Sequence, residues 1–181
     1  MADVLLLHGF KCTSQSYFLP FIRQHCAAAG VTVHAPDLPD PTSPDVDRWT
    51  AAVEALPVKT FDLVVAHSLG GCFALSLFSR QRITARSLML ISTSPGPKEL
   101  PVMQSMLKYP LDLEVVAARM PRIVIVQSLD DPWIFPEYGI VTLRHMKGLA
   151  MFYADKGHFE TPDLPGDVVA MIDRLIAGQP A

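Results

Sequence analysis

Short apolar runs alternate with stretches of helical periodicity along the whole chain. The runs Val4–Leu7, Val31–Ala35, Phe61–Ala66, Ser87–Ser92, Arg122–Ser128 and Leu149–Ala154 are mostly continuous in Val, Ile and Leu, as in strands covered on both faces. Val31-Thr32-Val33-His34 alternates instead and is expected nearer a sheet edge. Between the runs, apolar spacing predicts helices over Ser16–Ala29, Arg48–Leu56, Leu69–Arg80, Val102–Ala118 (broken at Pro110) and Pro136–Met146. Gly30 suits the position just past the first helix, where a positive φ costs glycine little. A last helix sets Val168, Val169, Ile172, Leu175 and Ile176 on one stripe and then meets Gly178. Six strands alternating with helices predict a three-layer α/β/α sandwich on a mainly parallel six-stranded sheet. There is no internal repeat.

The chain's 181 residues suffice for one full hydrophobic core, so Met1–Ala181 is expected to form one domain. Half the residues are apolar and 18% are charged, which excludes a disordered chain. Fifteen basic and 18 acidic residues give a net charge of −3 and no basic face for a phosphate backbone, so nucleic acid is not an expected partner. The longest uncharged run, Leu63 to Ser79, is interrupted by His67, Ser68 and Gly70-Gly71 and reads as a buried strand feeding a buried helix, so no membrane association is expected. Met1-Ala2-Asp3 lacks the positive start of an export signal. Cys12, Cys26 and Cys72 are odd in number and far apart, which argues against disulfides and a cysteine zinc site and for a reducing cytoplasm. Prolines 36, 39, 41 and 44 read as stiffening a surface connection. The segment Thr93–Ala118, with Pro95, Pro97, Pro101, Pro110, Met103, Met106, Leu107 and Tyr109, either covers a site on the sheet or forms a peripheral helix pair.

In an open parallel sheet, ligands bind beyond the carboxyl ends of the strands. His8-Gly9-Phe10 follows the first run, Ala66-His67-Ser68-Leu69-Gly70-Gly71 the third, Asp130-Asp131-Pro132-Trp133 the fifth and Asp155-Lys156-Gly157-His158-Phe159 the sixth. A serine, an acid and a histidine therefore gather at one end of one sheet. Ser68 stands between a strand and a helix, with Ala66 and Gly70 two positions either side. A sharp strand-to-helix turn crowds those positions and exposes the serine, and the helix start aims free N–H groups at a developing oxyanion. His8, His67 and His158 lack the spacing of metal ligands, no Gly-x-Gly-x-x-Gly follows the first strand, and no phosphate loop is present, so no metal or cofactor is expected. His67 reads as packing or hydrogen bonding behind the turn, His8 as bracing the loop after the first strand, and Cys72 as an inert core thiol. His25, His34 and His145 read as peripheral.

The segment Ala66–Gly71, with His8-Gly9-Phe10 and Gly157-His158-Phe159, resembles the α/β-hydrolase superfamily. Asp37-Leu38-Pro39-Asp40-Pro41, Asp130-Asp131-Pro132 and Gly157-His158-Phe159 resemble, more narrowly, the small serine hydrolases of the retinoblastoma-binding-protein-9 type and their bacterial relatives. Two departures are Ala66, where the elbow usually has glycine, and His8-Gly9, which is nearer the bacterial side. The resemblance implies a minimal hydrolase fold without a cap domain, with Ser68 as nucleophile, His158 as general base and then acid, and Asp131 orienting His158. Asp130 is the alternative acid. It further implies an oxyanion hole from the backbone N–H groups of Phe10 and Leu69. From their positions alone, Trp133 and Phe135 beside the acid, with Phe10 and Tyr17 beside the loop after the first strand, either line a pocket for a small acyl substrate or are ordinary core aromatics. The expected activity is hydrolysis of small esters or related acyl compounds. Acyl transfer would use the same residues, and a protein-binding module on the same scaffold is the reading from another class, although no sequence feature indicates a protein partner.

Overall fold

Six parallel strands form the central sheet of the computed structural model, which describes residues 2–96 and 101–181. In chain order the elements are β1 (Asp3–Leu7), α1 (Leu19–Ala28), β2 (Thr32–His34), α2 (Val46–Glu54), β3 (Thr60–Phe61), β4 (Leu63–His67), α3 (Leu69–Ser79), β5 (Thr84–Ala85), β6 (Ser87–Ile91), α4 (Pro101–Gln104), α5 (Leu113–Arg119), β7 (Arg122–Ser128), α6 (Pro136–Met146), β8 (Leu149–Tyr153) and α7 (Gly166–Ile176). The sheet runs β2-β1-β4-β6-β7-β8, every neighbouring pair parallel. The chain steps outward from β1 to β2 and then returns past β1 to β4. That reversal opens a crevice beyond the carboxyl ends of β1 and β4, the place where parallel sheets bind ligands. The fold is a three-layer α/β/α sandwich.

Alternate residues along each strand feed two cores. Leu5, Leu7, Val64, Ala66, Leu88, Leu90, Ile123 and Ile125 pack with the buried faces of α2, α3, α5 and α6. Val4, Leu6, Leu63, Val65, Met89, Ile91, Val124 and Val126 pack with α1 and α7. Helix α3 is buried from Leu69 through Phe78, so a continuously apolar helix is what its place under the middle strands requires. Truncating a side chain such as Phe73, fully buried here, typically costs about 3–5 kcal/mol.

Local chemistry moves several boundaries. Helix α1 begins at Leu19, not Ser16, because Ser16 Oγ accepts from Thr13 N–H at 3.0 Å and Tyr17 takes a left-handed φ of 52°. Helix α2 begins at Val46 because Asp45 caps it, accepting from the N–H groups of Asp47 and Arg48. Thr60–Phe61 splits from β4 and pairs with Thr84–Ala85 in a separate two-stranded ladder that periodicity did not reveal. The helical stretch over 102–118, expected to break at Pro110, is two short helices on either side of that proline, the second starting only at Leu113, where Asp112 caps it by accepting from Val115 N–H at 2.9 Å. Its α5 packs against α3 and α6, with Met106 and Val116 buried in the core. Pro97 and the side chain of Met103 lie outside the described residues. The alternating β2 lies at one edge, as its pattern implied, and β8 lies at the other.

The proline loop 36–44 is more than a surface connection. Leu38 is buried, Lys11 N–H donates to Pro41 O at 2.9 Å, and Trp49 Nε1–H donates to Pro39 O at 2.7 Å. The prolines hold this loop against the residues that follow β1.

Candidate active site

Ser68 follows β4 and precedes α3 with φ 55° and ψ −127°, a region that non-glycine residues avoid. Strain of that kind costs about 1–3 kcal/mol and persists only where the surroundings over-determine it. They do so here. Ser68 N–H donates to Ile91 O at 3.0 Å, and Thr93 Oγ1–H reaches Ser68 O at 3.2 Å. A Cβ on Gly70 would lie 2.4 Å from His8 O and 2.7 Å from Leu7 O, and a Cβ on Gly9 would lie 2.9 Å from Ser68 Cβ. Two absent side chains therefore let the strand ends close around the serine.

His158, carried by the turn after β8, reaches Ser68 from the opposite side. Its Nε2 lies 2.9 Å from Ser68 Oγ, and its Nδ1 lies 3.0 and 2.9 Å from the two oxygens of Asp131. The carboxylate can only accept, so Nδ1 carries the proton and Nε2 presents its lone pair to the serine hydroxyl. Asp131 also accepts from the N–H groups of Trp133 and Ile134, both at 2.9 Å. Burial, the largest influence, pushes its carboxyl up; the His158 imidazole and those two N–H groups outweigh it and hold the group below its ordinary value. Of the two candidate acids, Asp131 meets the imidazole.

Asp130 does something else. Its Oδ1 accepts from Ser128 Oγ–H at 2.6 Å and from Gly157 N–H at 2.8 Å, while Lys156 N–H donates to Ser128 Oγ at 2.9 Å. The Ser128 hydroxyl and then the Gly157 N–H hold the Asp130 carboxyl below its ordinary value. This clamp fixes the turn that presents His158. The adjacent acids thus divide two tasks, which their sequence did not disclose.

Two further histidines brace the site. His67 donates from Nε2 to the carbonyl of His158 at 2.8 Å, with its ring 4.9 Å from that of His158 and edge-on to Tyr17 and Phe18. Burial pushes its pKa down to about 3, helped by its neighbour His158, so the ring stays neutral. His8 accepts from Leu38 N–H at Nε2 (2.8 Å), which leaves Nδ1 to donate to Gly9 O at 3.0 Å. Burial lowers its pKa as well. His8 thereby ties the Gly9-Phe10 loop to the proline loop.

The remaining anticipated residues fall around this centre. Leu69 is the first residue of α3, where N–H groups have no intrahelical acceptor. Phe10 is half-buried with the Lys11 ammonium 5.1 Å from its ring centre. Tyr17 donates its hydroxyl to Glu160 at 3.1 Å. Trp133 stands 64% exposed on the loop that carries Asp131. Cys12, Cys26 and Cys72 are free and buried, and burial raises all three thiols. His25 and His34 pair with Asp173 and Asp3, away from the serine. Among the described residues no group of three His, Cys, Asp or Glu is placed to hold a metal ion, and no helix is long and apolar enough to cross a membrane.

Residues 4–179 match the model of a family described as the alpha/beta hydrolase family. A protein of Bacillus subtilis (strain 168) named as a hydrolase, YdeN, is 23% identical over 134 residues, 71% of this chain and 70% of that protein. Its crystal structure superposes with a TM-score of 0.83 at 19% identity, covering 98% of this chain and 100% of that one. A thermophilic esterase from Thermogutta terrifontis (TM-score 0.76, 14% identity, 98% of this chain and 90% of that chain) has the same fold. So does a monoacylglycerol lipase from Paleococcus ferrophilus (0.73, 16%, 98% and 95%).

Proposed function

The chain belongs to the alpha/beta hydrolase family, and from that premise we propose that it is a serine hydrolase of small esters and related acyl compounds. The observation that carries this reading is the 2.9 Å approach of His158 Nε2 to a strained, partly exposed Ser68 Oγ, with Asp131 on the far nitrogen. Ser68 Oγ attacks the substrate carbonyl carbon as His158 Nε2 takes its proton. The imidazolium formed is stabilised by Asp131 and returns the proton to the leaving oxygen, which leaves an acyl-serine. Water, deprotonated by the same nitrogen, attacks the acyl carbon; the bond to Ser68 Oγ then breaks as His158 returns the proton to that oxygen, and the acid is released.

The backbone N–H groups of Leu69 and Phe10 are the proposed oxyanion donors, each worth about 3 kcal/mol of transition-state stabilisation. Phe10, Tyr17 and Trp133 are proposed to contact the acyl or alcohol portion. The exposure of Trp133 favours an open site and therefore short acyl chains over long lipids. The likeness to small serine hydrolases of the retinoblastoma-binding-protein-9 type belongs to this reading, as does residence in a reducing cytoplasm, which three buried free thiols suit. A fluorophosphonate probe should label the folded protein at Ser68 and fail to label Ser68→Ala. A series of p-nitrophenyl esters should show turnover falling with chain length. A folded wild-type protein that resists the probe would overturn the assignment.

A further inference from the structure

The two edges of the sheet are finished differently. At one edge, β2 has three residues and is followed by Pro36; Thr32 turns its N–H inward to Ala2 O at 2.9 Å, and His34 is tied to Asp3. At the other, β8 has five residues, Leu-Ala-Met-Phe-Tyr, without a charge or a proline, and among the described residues β7 is its one neighbour in the sheet. Unpaired edges are normally blunted by charge, proline, a bulge or brevity; β8 has none of the first two and is not brief. Tyr153 O accepts from Leu129 N–H at 2.7 Å, so the backbone groups of Tyr153 face β7. Facing alternates along a parallel strand, which turns the N–H and C=O of Ala150 and Phe152 outward. Phe152 and Leu149 are 40% and 39% exposed. The Phe152 ring leaves the sheet on the α6 side, since its register partner Gln127 packs on Gly139 of α6.

We propose that a second copy of the chain completes this edge, β8 running antiparallel to β8 about a twofold axis perpendicular to the sheet and centred on Met151. An axis in that direction keeps both α6 layers on one side and opposes residues of like parity, so the outward groups of Ala150 exchange two hydrogen bonds with Phe152 of the partner subunit. The twofold repeats the pair. The large Phe152 then lies beside a small residue, the partner's Ala150. Beyond the strand, Lys147 meets the partner's Asp155. Both are exposed, Asp155 at 78% of its side chain with one oxygen 3.2 Å from Lys156. A register shifted by two residues would set Lys147 against the partner's Tyr153 or the partner's Gly157 and lose that opposite-charge contact. The centred register alone uses the whole strand and matches both charges.

Sedimentation velocity at micromolar concentration should show a dimer. Phe152→Lys should give a monomer that keeps its circular dichroism and its ester hydrolysis, because Phe152 lies outside the Ser68 centre. Lys147→Glu should weaken association about tenfold, as loss of an ion pair beside a new repulsion predicts, and adding Asp155→Lys should restore it. Met151→Cys should cross-link to a disulfide dimer on oxidation, since facing non-hydrogen-bonded residues lie about 4.5 Å apart at Cα, whereas Leu149→Cys should not. Buried Cys12, Cys26 and Cys72 give little background. A monomeric wild type, a dimer indifferent to Phe152→Lys, or a Met151→Cys dimer that resists oxidation overturns the proposal.

Discussion

The serine side and the histidine side of the site are built by different physics. Ser68 is held by exclusion: strand ends approach so closely that Gly70 has no room for a Cβ, and the backbone takes a left-handed turn because nothing else fits. His158 is held by attraction, through Asp131 at its ring, His67 at its carbonyl and the Ser128–Asp130 clamp on the residues before it. A steric frame sets a position that does not vary with pH. A polar frame depends on which groups carry protons, so its failure should be graded and acid-sensitive. The contrast also explains why the two sides differ in exposure: α3 is buried behind Ser68, whereas Leu129, Trp133 and Phe135 stand more than half exposed around the acid loop.

The largest effect should come from the polar side. Asp131→Asn keeps the shape but replaces an acceptor by a group able to donate to Nδ1, which puts the ring proton on Nε2, facing Ser68. On the proposed mechanism kcat should fall by about ten-thousandfold with KM little changed and the melting temperature nearly kept. A variant retaining a tenth of the activity would show that Asp131 is not the orienting acid. Next in size is the acid sensitivity of His67. This ring is neutral when folded, with a pKa near 3, and reverts to about 6.5 when unfolded. Its contribution to stability is therefore whole above about pH 6.5, falls as the pH drops toward 3, and is constant below that. At about 1.4 kcal/mol per pH unit, roughly 3 kcal/mol should be lost between pH 6.5 and 4.5. Burial of His8 acts in the same direction, and the lowered carboxyl of Asp131 adds a loss only below about pH 4. Urea titrations at pH 7 and 4.5 should show a smaller drop for His67→Gln than for wild type; equal drops would remove His67 from the polar frame.

How much of this was legible depended on whether the interaction is local. The continuous apolar runs were enough for six strands, because a strand buried on both faces has no polar position to spare, and the alternation in Val31–His34 marked its edge. The serine turn was legible because small residues at 66 and 70 are a local steric requirement. Joins across the fold left no such mark. Asp130 and Asp131 are adjacent and chemically alike, and only the position of β8 and its following turn decides that one meets Nδ1 while the other takes Gly157 N–H. The His67 contact spans 91 positions. The proline loop read as a surface connection because its partners, His8 and Trp49, are ring nitrogens brought to it by two different elements. Tyr17 shortened α1 through a backbone angle that its side chain does not announce.

On the serine side, Gly70→Ala tests exclusion directly. The added carbon would meet two backbone carbonyls at 2.4 and 2.7 Å, and backbone cannot swing aside as a flexible side chain can. Overpacking of that kind should cost about 3 kcal/mol of stability, measured by urea unfolding at pH 7, and displace Ser68 enough to remove probe labelling. Because the cause is steric, the loss should be the same at pH 7 and pH 5. A loss that grows on acidification would mean that polar ties, not crowding, position the serine.

The smallest predicted effect discriminates best, because Asp130 acts on His158 only through the backbone. Asp130→Asn keeps an acceptor for Gly157 N–H but removes the charge, so the turn should loosen without unfolding. Misplacing a reacting group by a fraction of an ångström is costly in rate, and a loss of roughly tenfold in kcat with KM unchanged is expected. A merely structural role would lower the melting temperature and leave kcat of the folded protein alone. A positioning role should instead leave the melting temperature nearly unchanged, speed amide exchange at Gly157, and lower kcat alone. Asp130→Glu, which keeps the charge but lengthens the reach, should recover part of the rate and part of the exchange protection. If Asp130→Asn matches wild type in both exchange and rate, the histidine side rests on Asp131 and His67 alone, and the division of labour between the adjacent acids fails.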